Sequence, residues 1–179
     1  MDTAVSYHQS LKTYRSPEEV VSVLQPSYPV FCVRPHKIRA IARQFLEGFP
    51  GEVLYAVKCN PEAHILDTLY AAGIRHFDTA SLAEVSLVAD RLADAKSYFM
   101  HPVKSREAIH QSYQQYGVRH FVVDHVSELE KIAEIVTDRD DVVIVVRLAI
   151  HYDGAVYELS SKFGATVEEA ITLVQKAIQ

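Results

Sequence analysis

Cysteine is nearly absent from this chain. Cys32 and Cys59 are the only two in 179 residues, too few for a disulfide framework and suited to a reducing cytoplasm. Glycine is scarce as well, with six in all, and no G-x-G-x-x-G follows a strand-like run, which speaks against a dinucleotide fold. Metal-site spacings are missing: the nine histidines are scattered, with no His-Glu-x-x-His and no Cys-x-x-Cys pair. No apolar run approaches membrane-spanning length, and no charged, apolar, small-residue leader opens the chain. A net charge of −5, without a basic stripe, gives no reason to expect nucleic acid or an anionic membrane as partner. What is present is a globular composition, 49% hydrophobic and 23% charged, in a chain long enough to bury a sizeable core.

The stretch that organises the chain is Val53-Leu54-Tyr55-Ala56-Val57-Lys58-Cys59-Asn60-Pro61. Five apolar residues rich in β-branched and aromatic types predict a strand over 53–57, buried on both faces. Pro61 then opens a helix, its missing N–H costing nothing at the first position. Lys58 therefore lies where a parallel strand gives way to the loop before a helix, the end at which chemistry collects in α/β folds.

The rest of the chain is punctuated by similar signals. Ser16-Pro17-Glu18-Glu19 is a helix start with capping-box spacing, and 29–33 reads as a strand. Pro35 opens a helix whose Ile38, Ile41, Ala42, Phe45 and Leu46 form one apolar stripe. After 53–57, strands are expected at 75–78, 97–100, 119–123 and 142–148, each followed by a helix. Ser81, Ser105, Ser127 and Thr166 are the expected helix caps. Gly73 is the expected left-handed stop of the helix after Pro61.

Alternating strands and helices imply right-handed crossovers and a parallel sheet with helices outside. The polar residues that end successive strands are Lys58, Asp78, His101, Asp124 and Arg147, separated by 20, 23, 23 and 23 positions. That near-constant unit favours a (β/α)8 barrel over an open doubly wound sheet. Only five barrel strands can be counted, and a barrel of this kind needs eight. The expectation is an incomplete barrel, with residues 1–179 forming part of a longer protein.

Several of these polar residues are candidates for chemistry. Lys58 at a strand end is either a nucleophilic amine, its pKa lowered by partial burial, or a rim lysine with its head in water. Asp78 precedes a helix cap and points from a strand end. Glu84 has a sufficient structural explanation at the third position of a capping box. Arg147 follows Val142-Val143-Ile144-Val145-Val146, where burial demands an anion such as phosphate, or a carboxylate such as Asp78 or Glu84. His101, with Pro102 and Lys104, is a candidate to act as an acid or to hold an anion, against a surface loop, the latter being favoured.

Tyr55-Ala56-Val57-Lys58-Cys59-Asn60 resembles the cofactor-lysine motif of the fold-type III pyridoxal phosphate decarboxylases, the group acting on ornithine, lysine, arginine and diaminopimelate. Phe77-Asp78-Thr79-Ala80-Ser81 with Glu84 resembles the group's second motif, and His101-Pro102-Val103-Lys104 its third-strand segment. Val146-Arg147-Leu148 and Ser161-Lys162-Phe163-Gly164 are similar to the fifth-strand arginine and the segment beyond it. The resemblance runs in order from about Pro29 to Ala165 and fits the ornithine and lysine branch better than the diaminopimelate branch.

It implies an alanine-racemase-like barrel over 35–179, with 1–34 an arm, helix and strand associated with a β-rich second domain. It implies pyridoxal 5'-phosphate as cofactor and Lys58 as the lysine that carries it. Asp78, Glu84 and Arg147 match residues that line or brace the cofactor site. A cytoplasmic homodimer is implied for the complete protein. The family's cofactor-stacking histidine, glycine-rich phosphate loop and pyridine-pairing glutamate fall beyond the matched segments, as do its acid-donating cysteine and substrate-binding aspartate, so the isolated chain is expected not to turn over. Two other readings share the pattern: a non-catalytic homologue that binds a regulatory protein, and an amino-acid racemase of the same fold.

Overall fold

The computed structural model describes residues 12–138, 140–150 and 162–178. It divides into two compact units, Met1–Arg34 and Pro35–Gln179. In the first, helix α1 (Pro17–Leu24) starts where Ser16 Oγ accepts the Glu19 N–H at 3.3 Å. The Glu19 carboxylate takes the Arg15 N–H rather than that of the cap, so only half of the expected box forms. The strand expected at 29–33 is not formed. An extended run needs a neighbour to satisfy its backbone donors and acceptors, and no described strand pairs with it. Phe31 is 96% exposed as a result.

In the second unit α2 (Pro35–Gly48) leads to β1 (Leu54–Ala56) and a 3-10 turn (Val57–Cys59). Helix α3 (Ala63–Ala72), β2 (His76–Thr79) and α4 (Leu82–Arg91) follow. Then come β3 (Lys96–Phe99), α5 (Arg106–Gln114) and β4 (His120–Val123). The last elements are α6 (Val126–Ile135), β5 (Val143–Val146) and α7 (Val167–Ala177). All five strands are parallel and lie in chain order, β1-β2-β3-β4-β5. A strand order equal to the chain order, with a helix after each strand, is the winding of a (β/α) barrel. This arc is open, and among the described residues β1 and β5 each keep one unpaired edge.

Openness explains a departure from the sequence reading. The run 53–57 is expected to be buried on both faces, yet β1 is half-buried throughout, and in the equally apolar β5 Val143 is 49% exposed. Edge strands have neighbours on one side only, so hydrophobicity alone does not bury them. The apolar stripe of α2 behaves alike: Ala42 is buried, whereas Ile41 and Phe45 are exposed.

The core lies between the outer face of the arc and its helices, in two clusters. Phe77 of β2 packs with Val57, Leu66, Ile74 and Val88. Phe99 and Phe121, neighbours across β3 and β4, pack with Ile109, Val123, Ile132 and Leu173. Burying each such side chain stabilises the fold by about 1.5–3 kcal/mol. Along β2 the fully buried Phe77 and Thr79 alternate with half-buried His76 and Asp78. Strand residues alternate between faces, so Asp78 is turned away from the helices, toward the inside of the arc. There Tyr98 lies between His76 and His120, its hydroxyl 2.8 Å from His76 Nδ1 and its ring centroid 4.4 Å from that of His120.

Helix caps are largely as expected, with informative exceptions. Gly73 (φ 115°) ends α3 in the left-handed region, and Thr166 with Glu169 closes a full capping box on α7. Helix α6 is capped by His125, whose Nδ1 accepts the Ser127 N–H, and not by Ser127 itself. A histidine nitrogen serves here as the acceptor that Ser or Asp commonly supplies. One device recurs at two strand entries. Arg75 donates to the carbonyls of Tyr70 and Ile74 and covers the Tyr70 ring; Arg119 treats Tyr113 and Val118 in the same way. Gly73-Ile74-Arg75-His76-Phe77 and Gly117-Val118-Arg119-His120-Phe121 thus share one arrangement, a repeat two βα units apart.

Candidate active site

The turn that carries Lys58 is assembled by its neighbours. The 3-10 turn closes through the Asn60 N–H to Val57 carbonyl bond at 3.1 Å. Tyr55 Oη donates to the Asn60 carbonyl at 3.2 Å, and Asn60 Oδ1 accepts the Glu62 N–H at 3.1 Å, which starts α3 two residues after Pro61. Val57 is wholly buried beneath this turn. Lys58 lies exposed on it, one residue past the end of the run expected as strand, with its amine at the carboxyl end of β1.

Asp78 pairs in register with Ala56 and Tyr98. Burial raises its carboxyl from the ordinary value, while the nearby charges of Lys58 and Arg147 pull the other way. One half-buried carboxylate is therefore within electrostatic reach of two cations, at the carboxyl ends of β1, β2 and β5. Because folding raises this pKa, the ionised form is disfavoured in the folded state. The penalty is absent where Asp78 is protonated in both states, grows as pH rises from its unfolded to its folded value, and is complete above the latter. Asp78→Asn is thus expected to raise the thermal midpoint at pH 7 and to leave it unchanged at a pH below the carboxylate range. Melts at the two pH values check this, and a lowered midpoint at pH 7 would contradict it.

Glu84 serves the turn after β2. Its Oε2 accepts the Ala80 N–H at 2.8 Å, and its own N–H is received by Ser81 Oγ at 3.3 Å. Glu84 thereby braces the loop that follows Asp78. Arg147 extends the ladder of β5: its N–H donates to the Val123 carbonyl at 2.9 Å and its carbonyl accepts the Ala165 N–H at 2.8 Å. Its guanidinium lies 5.5 Å from the centroid of the Phe163 ring, within cation–π range. Ser161, the first residue of the Ser-Lys-Phe-Gly motif, lies outside the described residues.

Two residues left without a part by the sequence reading turn out to hold the site together. Asp124 Oδ2 accepts the Gly164 N–H at 2.9 Å and pins the segment that carries Phe163. Lys104, expected on a surface loop, is buried: its Nζ donates to the carbonyls of His101, Pro102 and Val122 and lies 3.1 Å from Glu128 Oε1. Burial lowers its pKa, against the opposing pull of Glu128. The sequence shows Glu128 and Lys131 one helical turn apart, but nothing in it ties either to Lys104.

Gly164 is obligatory for a steric reason. Its φ of 114° is unfavourable for any residue with a Cβ, and a Cβ there would come within 2.5 Å of the Ala149 nitrogen. Gly164→Ala is expected to cost roughly 3 kcal/mol in urea unfolding, the upper end of backbone strain. Gly117→Ala, also at positive φ but with open space around it, is expected to cost about 1 kcal/mol. Equal costs would refute the close contact.

A parallel arc wound in chain order, carrying a lysine, a carboxylate and an arginine at its strand ends, defines the class as part of a (β/α) barrel. Comparison places the chain within it: residues 35–179 match the model of the pyridoxal-dependent decarboxylase, pyridoxal binding domain family, and the chain belongs to that family. It is 36% identical over 126 residues to the lysine/ornithine decarboxylase of Selenomonas ruminantium, a match covering 70% of this chain and 31% of that protein. The crystal structure of the lysine decarboxylase from that organism superposes with a TM-score of 0.76 at 28% identity, over 93% of this chain and 44% of that one. Lysine/ornithine decarboxylase from Vibrio vulnificus, complexed with putrescine, superposes with a TM-score of 0.73 at 34% identity, over 91% and 43%. The chain thus spans less than half the length of these relatives. Among the described residues no helix is long and apolar enough to cross a membrane.

The donor set fits the cofactor that the family binds. An exposed primary amine suits an aldehyde, a guanidinium suits an anionic or polar edge, and a carboxylate flanked by two cations suits a site that handles charge.

Proposed function

We propose that this chain forms the cofactor-lysine part of a pyridoxal phosphate-dependent decarboxylase of a basic amino acid, ornithine or lysine, releasing putrescine or cadaverine. The observation that carries this reading is the approach of Asp78 to both Lys58 and Arg147 at the carboxyl ends of three strands. When bound, the cofactor supplies the electron sink for the α-carbon as carbon dioxide leaves. Lys58 would hold the cofactor's aldehyde through its amine, which lies exposed and open to an incoming amino acid. Asp78 would keep a negative charge beside that amine and stabilise its protonated form. Arg147 offers a fixed positive charge on the same face, and Glu84 keeps the loop after Asp78 in place. The names of the relatives support ornithine or lysine as substrate, and the complete protein is proposed to act as a homodimer in the cytoplasm.

The test is an absorption spectrum of the chain with pyridoxal phosphate, followed by borohydride reduction and peptide mapping. Label on Lys58 alone, with a new band at long wavelength, is expected. Label spread over the surface lysines, with none enriched at Lys58, would overturn the reading.

A further inference from the structure

We propose that the buried Lys104–Glu128 pair is a positioning device for the cofactor site, acting through His101 and Phe163 on Arg147. It rests on the reading of Arg147 as a cofactor-facing residue. Burying a lysine is costly, and an apolar pair of similar volume often fills the same space without that desolvation cost. What an apolar pair cannot do is donate hydrogen bonds. Lys104 Nζ donates to the carbonyls of His101 at 3.1 Å, Pro102 at 3.2 Å and Val122 at 2.7 Å, and so ties the loop after β3 to β4. The Lys104 N–H donates to Glu128 Oε1 at 3.1 Å, and Lys131 Nζ donates to the Lys104 carbonyl at 2.6 Å. Lys131 also pairs with the other oxygen of Glu128. The backbone of 101–104 is thus held to both β4 and α6.

From that loop a line of contacts runs to the site. His101 Nδ1, 2.8 Å from the Val103 carbonyl, fixes the imidazole on the loop. The imidazole meets the Phe163 ring edge to face, with centroids 5.3 Å apart and planes at 71°. The backbone after Phe163 is held by the Asp124–Gly164 hydrogen bond, and the Arg147 guanidinium lies over its ring. Removing the donors of Lys104 frees three carbonyls to turn toward other partners. The His101 ring moves with them, and Phe163 and Arg147 lose one wall. A displacement of about 1 Å at a binding group is enough to weaken a site up to a hundredfold.

The experiment compares the wild-type chain with Lys104→Met/Glu128→Leu, His101→Ala and the combination of all three. Its first readout needs no cofactor: the side-chain Nε–H resonance of Arg147, which the Phe163 ring current shifts. The second is affinity for pyridoxal phosphate by absorbance titration. The paired variant is expected to remain folded, to move the Arg147 resonance in the same direction as His101→Ala, and to weaken cofactor binding between about ten- and a hundredfold. Combining all three changes is expected to add nothing further, because they cut one line. A folded paired variant with the Arg147 resonance and affinity of wild type would overturn the proposal, as would effects that simply add. Should the paired variant not fold, Glu128→Gln is read by the same resonance, since it keeps an acceptor for the N–H of Lys104 but removes the charge beside its amine. A shift in the direction of His101→Ala supports the proposal, and an Arg147 resonance of wild type in a folded protein overturns it. A wild-type chain that takes up no cofactor would refute the functional reading alone, leaving the resonance to judge the positioning role.

Discussion

Lys58→Ala is expected to leave no pyridoxal phosphate label on the 53–61 segment after borohydride reduction, while its thermal midpoint stays that of wild type. The two outcomes separate because Lys58 is exposed and the turn beneath it is built by others. The Asn60 N–H to Val57 carbonyl bond, the Tyr55 hydroxyl and the burial of Val57 all survive the substitution. Lys58→Arg sharpens the test. It keeps the positive charge that acts on Asp78, but a guanidinium stays protonated and has no free amine for an aldehyde. Loss of label in both variants assigns the chemistry to the amine and not to the charge. Retained label at another lysine, in step with wild type, would remove Lys58 from the site.

The largest effect on stability is expected at the buried ion pair. Glu128→Leu leaves Lys104 charged, nearly inaccessible to water and without its carboxylate, and is expected to cost about 3–5 kcal/mol in urea unfolding. Lys104→Met leaves Glu128 with Lys131 and the backbone N–H of residue 104, and is expected to cost less, chiefly through the three carbonyls that lose their donor. The double variant removes the buried ammonium that Glu128→Leu leaves unpaired and is expected to recover part of that loss, so the cycle is non-additive. Stability of Glu128→Leu is also expected to depend on pH. Burial already lowers the Lys104 pKa, and losing its partner lowers it further. The unfolded chain then binds the proton more tightly than the folded one, so stability rises with pH between the folded and unfolded values, by up to about 1.4 kcal/mol per unit. A flat profile together with additive costs would show that water reaches the pair.

The strand–helix alternation was legible because each element carries its own local signal. A serine or threonine side chain caps a helix wherever the next residues can turn, and Ser16, Ser81, Ser105 and Thr166 all do so. Lys58, Asp78 and Arg147 were legible as strand-end residues, since a residue's place in a βα unit follows from the sequence around it. The expected strand at 29–33 was not, because a β-strand is not a local object: its hydrogen bonds belong to another segment. Burial in β1 was overestimated for the same reason, as a hydrophobic run says what could be covered and not what covers it.

The sequence by itself determined the βα alternation, the helix caps and the strand-end lysine, aspartate and arginine, all of which depend on residues within a few positions of one another. Only the tertiary structure decided which of these share a space. It brought Asp78 within reach of Lys58 and Arg147, tied Asp124 to Gly164 across 40 residues, and buried Lys104 against Glu128 and the Val122 carbonyl. Desolvation and pairing depend on neighbours brought together by the curvature of the sheet, and a lysine that reads as exposed becomes a buried donor when three carbonyls converge on it.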